Sequence, residues 1–278
     1  MTSPAGATSQ GRDTGKPLGL LEGARGVFDI ALDSLVWSRR SLLMAVLLCL
    51  PIAFALLYRL VLVAKLPAQL RGFDLYGVIV ALYYIRNALP LAALFYSVSL
   101  IADEVEDKTI TYLLTRPIQR ASILLGKFGA YLATTLTLAL PSLVITFFLL
   151  MTAKGFDGLG ASVPHLFRDM GVLVLTFLTY GAFFALLGVG LRRPVIPGLL
   201  FLFGWELLAL LPGYLPRLTI TAYLRSLVPH RPPDEGLAEL FGSTLPALLC
   251  LEAITAMVAV FLGAAVWIFS RKEYVLDQ

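Results

Sequence analysis

Long apolar runs without a charged residue limit this chain to very few kinds of fold. No Asp, Glu, Lys or Arg occurs between Phe128 and Ala153, or between Met170 and Leu191. A helix needs about 20 predominantly apolar residues to cross the hydrocarbon core of a bilayer. Charged residues make up only 14% of the 278 residues, whereas a soluble domain contains about 25%. The sequence therefore predicts a polytopic membrane protein.

Six runs have the composition of a membrane span. The fifth is short and contains Glu206. None of the runs alternates between polar and apolar residues, and in lipid every backbone amide must find its partner within its own helix. The predicted fold class is therefore all-α, with six transmembrane helices in a membrane domain over 41–272. The runs lie at about 41–64, 76–102, 128–152, 170–191, 194–212 and 247–270.

The chain before the first run divides into two parts. Residues 1–17 are small, polar and rich in Gly and Pro, which predicts a disordered tail. In residues 18–40, apolar side chains recur at helical spacing and charged ones lie on the opposite side. This pattern predicts an amphipathic helix in the inner interface of the membrane, with an ordinary soluble connecting helix as the alternative. The Trp and two Arg residues within 37–40 favour the interface.

Lys and Arg are unevenly distributed among the segments that join the runs. If both termini lie on one side, the segments on that side contain thirteen Lys and Arg, and those on the other side contain seven. Because cytoplasmic loops are rich in these residues, both termini are predicted to be cytoplasmic and 213–246 to be an outer segment. Cationic cytoplasmic loops also account for the net charge of +4, so no nucleic-acid partner is predicted.

No metal, cofactor or catalytic site is predicted. Cys49 and Cys250 both fall inside apolar runs, where cysteine serves as a small hydrophobic residue. His165 and His230 are far apart in the chain and lack the spacing of metal ligands. No Gly-x-Ser-x-Gly sequence occurs that would mark a serine nucleophile.

Besides Arg59, three charged residues fall inside the predicted spans, all toward the outer half. They are Arg86, Glu206 and Glu252. An unpaired charge at mid-bilayer costs about 3 kcal/mol, so we expect Arg86 to pair with Glu206 or Glu252 and close the outer side of the bundle. Such a pair either only holds helices together or takes part in a substrate path or gate. Arg59, near the outer end of the first span, is expected to extend to the outer surface.

The segment 103–127, between the second and third runs, is the most densely charged stretch in the body of the chain. Acidic residues open it, Thr, Leu and Pro residues follow, and Gly-Lys closes it. One interpretation of this segment is a charged loop that only anchors two helices. The residues that define the pattern are Glu104, Thr109, Leu113, Leu114, Pro117, Arg120, Gly126 and Lys127.

This pattern resembles the loop between the second and third spans of ABC exporter permeases of the ABC-2 type. The family pattern is an acid, then Gly-Thr, Leu-Leu, Pro, Arg and Gly-Lys, and the one departure is Lys108 in place of Gly. Glu206 with the Pro-Gly at 212–213 and the Leu-Thr-Ile at 218–220 resembles the subgroup of copper-enzyme maturation and gliding-motility permeases. The resemblance covers roughly residues 20–272.

The resemblance implies a permease domain over 41–272 in a bacterial inner membrane, associated as a homodimer or heterodimer of permeases. Residues 104–120 would form a coupling helix on a separate ABC ATP-binding subunit. Glu104, Thr109, Pro117 and Arg120 would place and delimit this helix, and Leu113 and Leu114 would be its apolar contacts. The chain contains no Gly-x-x-x-x-Gly-Lys-Ser/Thr loop, so ATP hydrolysis would come from that subunit.

Two other functions stay open. One is a membrane-embedded lipid-modifying enzyme that would use Arg86, Glu206 and Glu252 as its main polar residues. The other is an ABC-type scaffold that uses ATP to act on a partner protein. The sequence does not identify the transported substrate.

Overall fold

The computed structural model describes residues 20–36, 39–64, 72–106, 120–154, 159–191, 193–210, 214–228, 230 and 245–271. Within these ranges every regular element is a helix and none is a strand. The predicted disordered tail, 1–17, lies outside them. The elements are α1 (Leu20–Val36), α2 (Arg39–Val63), α3 (Gly72–Val78), a π-helix (Ile79–Ala88), α4 (Leu89–Glu106), α5 (Arg120–Met151), α6 (Leu159–Gly190), α7 (Val195–Phe203), α8 (Ile220–Leu227) and α9 (Ala247–Arg271), with short 3₁₀ helices between some of them.

Five helical stretches are long and apolar enough to cross a membrane. They are Ser41–Val63, Gly72–Leu100, Arg120–Met151, Leu159–Gly190 and Ala247–Arg271. The second of them is continuous through α3, the π-helix and α4. The prediction of an all-α polytopic membrane protein is confirmed.

The segment predicted as the fifth span is shorter and changes its helical form. Its apolar helix covers Val195–Ala209, but the α-helical part ends at Phe203 and a 3₁₀ helix follows at Trp205–Leu210. The change occurs at Gly204, where a Cβ atom would lie 2.5 Å from the Leu200 carbonyl oxygen. The tighter winding therefore requires a residue without a side chain at this point.

Helix α1 packs along the first turns of α5. Val27 of α1 is buried, whereas Arg25 and Asp29 are exposed, as expected for an amphipathic helix. Gly126 of α5 faces the Ala24 carbonyl so closely that a Cβ atom on Gly126 would lie 2.5 Å from that oxygen. Small residues permit such close approach of two helices. The glycine of the Gly-Lys pair thus positions α1 against the third span.

Helices α5 and α6 meet through an aromatic ring at the centre of the bundle. The Tyr131 hydroxyl donates to the Phe177 carbonyl oxygen at 2.9 Å, and the ring fills the space that a side chain at Gly181 would occupy. Tyr131 and Phe177 are both fully buried. A buried tyrosine needs a partner for its hydroxyl, and here that partner is the backbone of the neighbouring helix.

Arg59 reaches the end of the third span, which the predicted topology places on the outer side. Its Nε donates to the Leu149 carbonyl oxygen at 2.9 Å, and its Nη2 donates to the Thr152 hydroxyl. The Leu149 carbonyl lies in the last turn of α5, where carbonyl groups lack partners within the helix, and Thr152 begins the 3₁₀ helix that follows. The extension of Arg59 to the outer surface stays a prediction.

The first and last long helices lie at the outside of the bundle. Only 22% of the most apolar window of α2 and 17% of that of α9 is buried, compared with 61% for the second span and 67% for α6. Large side chains such as Leu60, Val63, Leu248 and Val260 are therefore exposed on the isolated chain. These faces need lipid or another apolar surface to cover them.

Replacing Gly126 by Ala is expected to push α1 away from α5, because the added methyl group meets a backbone carbonyl. We expect the variant to lose roughly 1–3 kcal/mol of stability, measured as a lower melting temperature in detergent. Gly171→Ala is the matched control, since nothing lies within 4 Å of a Cβ there. Equal melting temperatures for the two variants would contradict this packing.

Candidate functional site

Arg86 lies at the middle of the second span, within its π-helix. It is fourteen residues after Gly72 and fourteen before Leu100 in the apolar stretch. The next residue, Asn87, is exposed, and its Nδ2 donates to the Leu82 carbonyl oxygen at 2.6 Å. π-Helical turns within α-helices are frequent at functional sites, as are ionisable residues at membrane depth.

Glu206 is buried and anchors the helix that follows it. Its Oε1 accepts from the Ile220 amide at 3.1 Å and its Oε2 accepts from the Thr221 amide at 3.2 Å. These amides belong to the first turn of α8, where the helix itself provides no acceptor. A carboxylate is also favourable beside the positive end of the helix dipole. Glu206 therefore fixes α8 against the 3₁₀ helix of the fifth segment.

Two hydroxyl groups also lie next to the Glu206 carboxylate. Tyr180 of α6 and Thr221 of α8 lie beside it, and their oxygens are 2.8 Å apart. The polar groups of Tyr180, Glu206 and Thr221 thus form one hydrogen-bonded unit across three elements. The oxygens of Glu206 are engaged within this unit.

Arg86 and Glu206 line one open pocket. Within the described part of the chain, no carboxylate oxygen lies within 4.0 Å of a guanidinium nitrogen of Arg86. Glu252 is exposed on α9 and does not line the pocket. The structure thus brings two of the three predicted charges together, without a direct ion pair. The full lining is Arg86, Asn87, Leu91, Leu202, Phe203, Glu206 and Leu207.

A second cation, Arg225, lies near Arg86. Arg225 is on the last turn of α8 and is buried. Burial, and then the charge of Arg86, lower the pKa of Arg225 to about 10, so it remains protonated at neutral pH. We call Arg86, Asn87, Tyr180, Glu206, Thr221 and Arg225 the polar centre.

The structure also brings together two histidines that the sequence placed far apart. The rings of His165 and His230 are 5.9 Å apart, and Phe73 packs edge-on against both. The His230 Nε2 lies 2.8 Å from the Asp169 Oδ2, with both side chains buried. No cluster of three or more metal-ligating residues is present among the described residues. We call Phe73, Tyr76, His165, Asp169 and His230 the histidine cluster.

Sequence reasoning missed this cluster because the predicted fourth span began at Met170. The helix in fact begins at Leu159, so His165 and Asp169 lie four residues apart on one helix, a spacing that puts both on the same face. The close approach of His230 also requires glycine at position 77, because a Cβ atom there would lie 2.6 Å from the Cβ of His230. The spacing of His165 and Asp169 could have been recognised in the sequence, whereas the contact with His230 could not, because His230 lies in a distant segment.

The predicted coupling residues are only partly within the described ranges. Thr109, Leu113, Leu114 and Pro117 lie outside them, and Glu104 falls in the last turn of α4. On the far side of the segment, the Arg120 Nη1 donates to the Ser270 carbonyl oxygen of α9 at 3.4 Å. The Lys127 Nζ donates to the Leu100 carbonyl oxygen of α4 at 2.6 Å. The helices that flank the segment are therefore joined to each other and to α9.

A family model described as ABC-2 family transporter protein matches residues 32–274, which is most of the chain. The chain belongs to the ABC-2 transporter family. This ABC-2 protein is thus the membrane permease component of a transporter, as the pattern at 104–127 implied. A comparison with curated proteins found no match. The resemblance to the maturation and gliding-motility subgroup stays a prediction.

Removing the carboxylate of Asp169 from the ABC-2 permease should leave His230 without its buried partner. We expect Asp169→Ala to cost roughly 3 kcal/mol, seen as a lower melting temperature. Asp169→Ala with His230→Ala should cost less than the two single changes added together, because the residues contact each other. The exposed residue Asp29, changed to Ala, serves as the control. Additive effects of Asp169→Ala and His230→Ala would contradict the pair.

Glu206→Ala should loosen α8, because two buried amides lose their acceptor. We expect faster hydrogen exchange at Ile220 and Thr221, measured by mass spectrometry of the purified protein. Glu206→Gln should have a smaller effect, since its amide oxygen still accepts one bond. The matched control is Glu252→Ala, an exposed glutamate in another span. Equal exchange in Glu206→Ala and Glu252→Ala would show that α8 is held by other contacts.

Proposed function

We propose that this permease is the membrane half of a bacterial ABC exporter and that residues 104–120 dock on a separate ATP-binding subunit. The observation that carries the proposal is the family match over residues 32–274. The chain has no phosphate-binding loop of its own. ATP hydrolysis would therefore be supplied by the partner, and both termini and the docking segment would face the cytoplasm.

The contacts around the segment support a role in transmitting force. Arg120 joins the start of α5 to α9, and Lys127 joins α5 to the inner part of α4. Gly126 holds α5 against α1. A displacement of the docking segment would therefore move four helices together. A charged loop that served only to connect two spans would not require these contacts.

Association of two permeases accounts for the exposed helices. The interior of one chain is filled by packed aromatic and aliphatic side chains, and its most open helices, α2 and α9, lie outside. We propose that the transport path forms where two copies meet, in a homodimer or a heterodimer. ATP-driven closure of the partner subunits would then switch the path between inward and outward access.

The two alternative functions differ in what supports them. A membrane-embedded enzyme would need free polar groups that converge on a reacting atom. The Glu206 carboxylate is instead engaged by backbone amides, which disfavours that role. A scaffold that acts on a partner protein would use the same docking segment, so it is compatible with the contacts around Arg120 and Lys127.

Leu113→Asp should abolish the stimulation of the ATPase subunit by the permease while leaving membrane insertion intact. The reason is that a carboxylate would replace an apolar contact in the groove of the partner. The measurement is ATP hydrolysis by the purified complex, together with co-purification of the two subunits. Leu237→Asp is the matched control, because it makes the same change in the predicted outer segment. Normal stimulation in Leu113→Asp would refute the docking assignment.

A further inference from the structure

Glu252 is a charged residue on the outward-facing surface of a membrane span. It is the sixth residue of α9 and is exposed on the isolated chain. Leu248 and Leu249 precede it and are 70% and 46% exposed, and Val260, which follows it, is exposed as well. Apolar surface therefore lies on both sides of the carboxylate. Charged residues inside membranes face protein or a water-filled cavity and pair with one another, so we expect protein rather than lipid to cover this face of α9.

Arg86 is a cation that can match this carboxylate. Among the described residues, no carboxylate oxygen lies within 4.0 Å of its guanidinium nitrogens, and no cationic nitrogen lies within that distance of Glu252. The oxygens of Glu206, which lines the same pocket as Arg86, accept from two backbone amides. The other described cations in the outer half of the long spans, Arg59 and Arg168, donate to backbone carbonyl oxygens.

The helices that carry the two charges border one continuous surface. The Phe183 ring of α6 packs against Phe201 of α7 and Phe261 of α9, with ring centroids 4.2 and 5.3 Å apart. Helices α7 and α9 are therefore neighbours along α6. Phe203 of α7 lines the pocket of Arg86, so the surface runs from Arg86 across α7 to α9.

Helix α8 indicates that the two charges lie at a comparable depth in the membrane. Arg225 of α8 lies near Arg86. The next residue, Ser226, lies beside Cys250 of α9, two residues before Glu252. Two copies related by an axis along the membrane normal place groups of equal depth side by side. Such an axis can therefore bring the arginine of one copy to the glutamate of another.

Small residues lie on the same side of α9 as Glu252. Ala256, Ala259 and Gly263 follow it at intervals of four, three and four residues, which keeps them on one face of the helix, and all three are exposed. Among the described residues, nothing lies within 4 Å of a Cβ atom at Gly263, so the fold of one copy does not require this glycine. Small residues permit close approach of another helix in a membrane.

We propose that this surface joins two copies of the chain, with Arg86 of each copy paired with Glu252 of the partner subunit. The surface carries a cation and a carboxylate without an ion-pair partner in the described part of one chain, so it is complementary to itself. Each contact of such a two-fold interface occurs twice, which gives two ion pairs per dimer. The proposal rests on the proposed association of two permeases and assigns it to a homodimer.

The test exchanges the two charges between copies. Full-length permease with a donor or an acceptor fluorophore at its N-terminus is reconstituted in phosphatidylcholine vesicles without ATPase subunit, and energy transfer is measured at decreasing protein-to-lipid ratios. Arg86→Glu alone and Glu252→Arg alone place like charges opposite each other. Each should raise the dissociation constant of the dimer at least about thirtyfold.

Mixing the two single variants should restore energy transfer. A copy with Arg86→Glu then has two carboxylates, and a copy with Glu252→Arg has two guanidinium groups, so both pairs of the mixed dimer are complementary. A pair formed within one chain predicts no recovery on mixing, because neither copy regains its own partner. Recovery in the mixture therefore identifies a contact between copies.

Three further variants keep the test decisive. Gly263→Leu should weaken the dimer several-fold with an unchanged melting temperature, because the added side chain meets the partner and no described residue of its own chain. Gly160→Leu, at a glycine with equally open surroundings, is its control. Arg217→Glu reverses an exposed cation that stacks on Tyr214 and should dimerise like the wild type.

Several results would overturn the proposal. A wild-type permease without energy transfer would exclude the homodimer. Unchanged dimers in Glu252→Arg and Gly263→Leu would exclude this face of α9 even if Arg86→Glu fails to fold. Folded single variants that do not recover on mixing would exclude the pairing, and an equal loss in Arg217→Glu would indicate a general effect of charge.

The result is independent of the proposed export function. Leu113→Asp should dimerise normally, since it changes only the docking segment. Recovery on mixing in a permease that stimulates no ATPase subunit would support the contact and refute the exporter. Normal ATPase stimulation together with unchanged dimers in Arg86→Glu and Glu252→Arg would refute the contact and leave the exporter in place.

Discussion

Backbone groups of several helices in this bundle form hydrogen bonds with charged side chains of other elements. Glu206 accepts from the first amides of α8, and Arg168 of α6 donates to the Leu227 carbonyl oxygen at the other end of the same helix at 2.9 Å. Arg59 donates to a carbonyl group in the last turn of α5, and Lys127 donates to the Leu100 carbonyl oxygen within α4. A buried backbone group without a partner costs free energy, so these bonds stabilise the helices where they meet.

This arrangement explains why charged residues are present in an apolar sequence. A short helix such as α8 (Ile220–Leu227) leaves most of its terminal amides and carbonyls without partners within the helix, and Glu206 and Arg168 engage groups at both ends. Arg86 differs from these residues. It contacts no carboxylate in the described part of the chain and makes none of the backbone hydrogen bonds seen for Glu206, Arg168, Arg59 and Lys127. That difference sets it apart from the other charged residues of the bundle.

The sequence alone was sufficient for the class of fold and for the family. Apolar run length predicts spanning helices because length and composition are what the bilayer selects, and the long runs at 128–152 and 170–191 lie within α5 and α6 except for the last residue of each run. The motif around Gly126 and Lys127 led to the family that the match over 32–274 established. These features are local in the chain, so they can be read before the structure is known.

What the sequence did not reveal depends on contacts between distant segments. The break at Gly204 follows from the change to 3₁₀ winding, which composition does not record. The approach of His230 to Asp169 joins positions 61 residues apart, and the capping role of Glu206 depends on amides 14 and 15 residues later. A hydropathy value depends only on the type of each residue. It contains no information on which backbone group needs a hydrogen-bond partner. The charges in the spans were therefore found, while their partners were not.

The outward position of α2 and α9 has a consequence for extraction of the protein from its membrane. Less than a quarter of the most apolar window of either helix is covered by the rest of the chain. Detergent molecules must replace acyl chains along both helices when the protein is solubilised, and short or charged detergents cover such surfaces poorly. We therefore expect the yield of folded protein to be determined at these two helices, while the central pair α5 and α6, locked by Tyr131 and Phe177, withstands solubilisation.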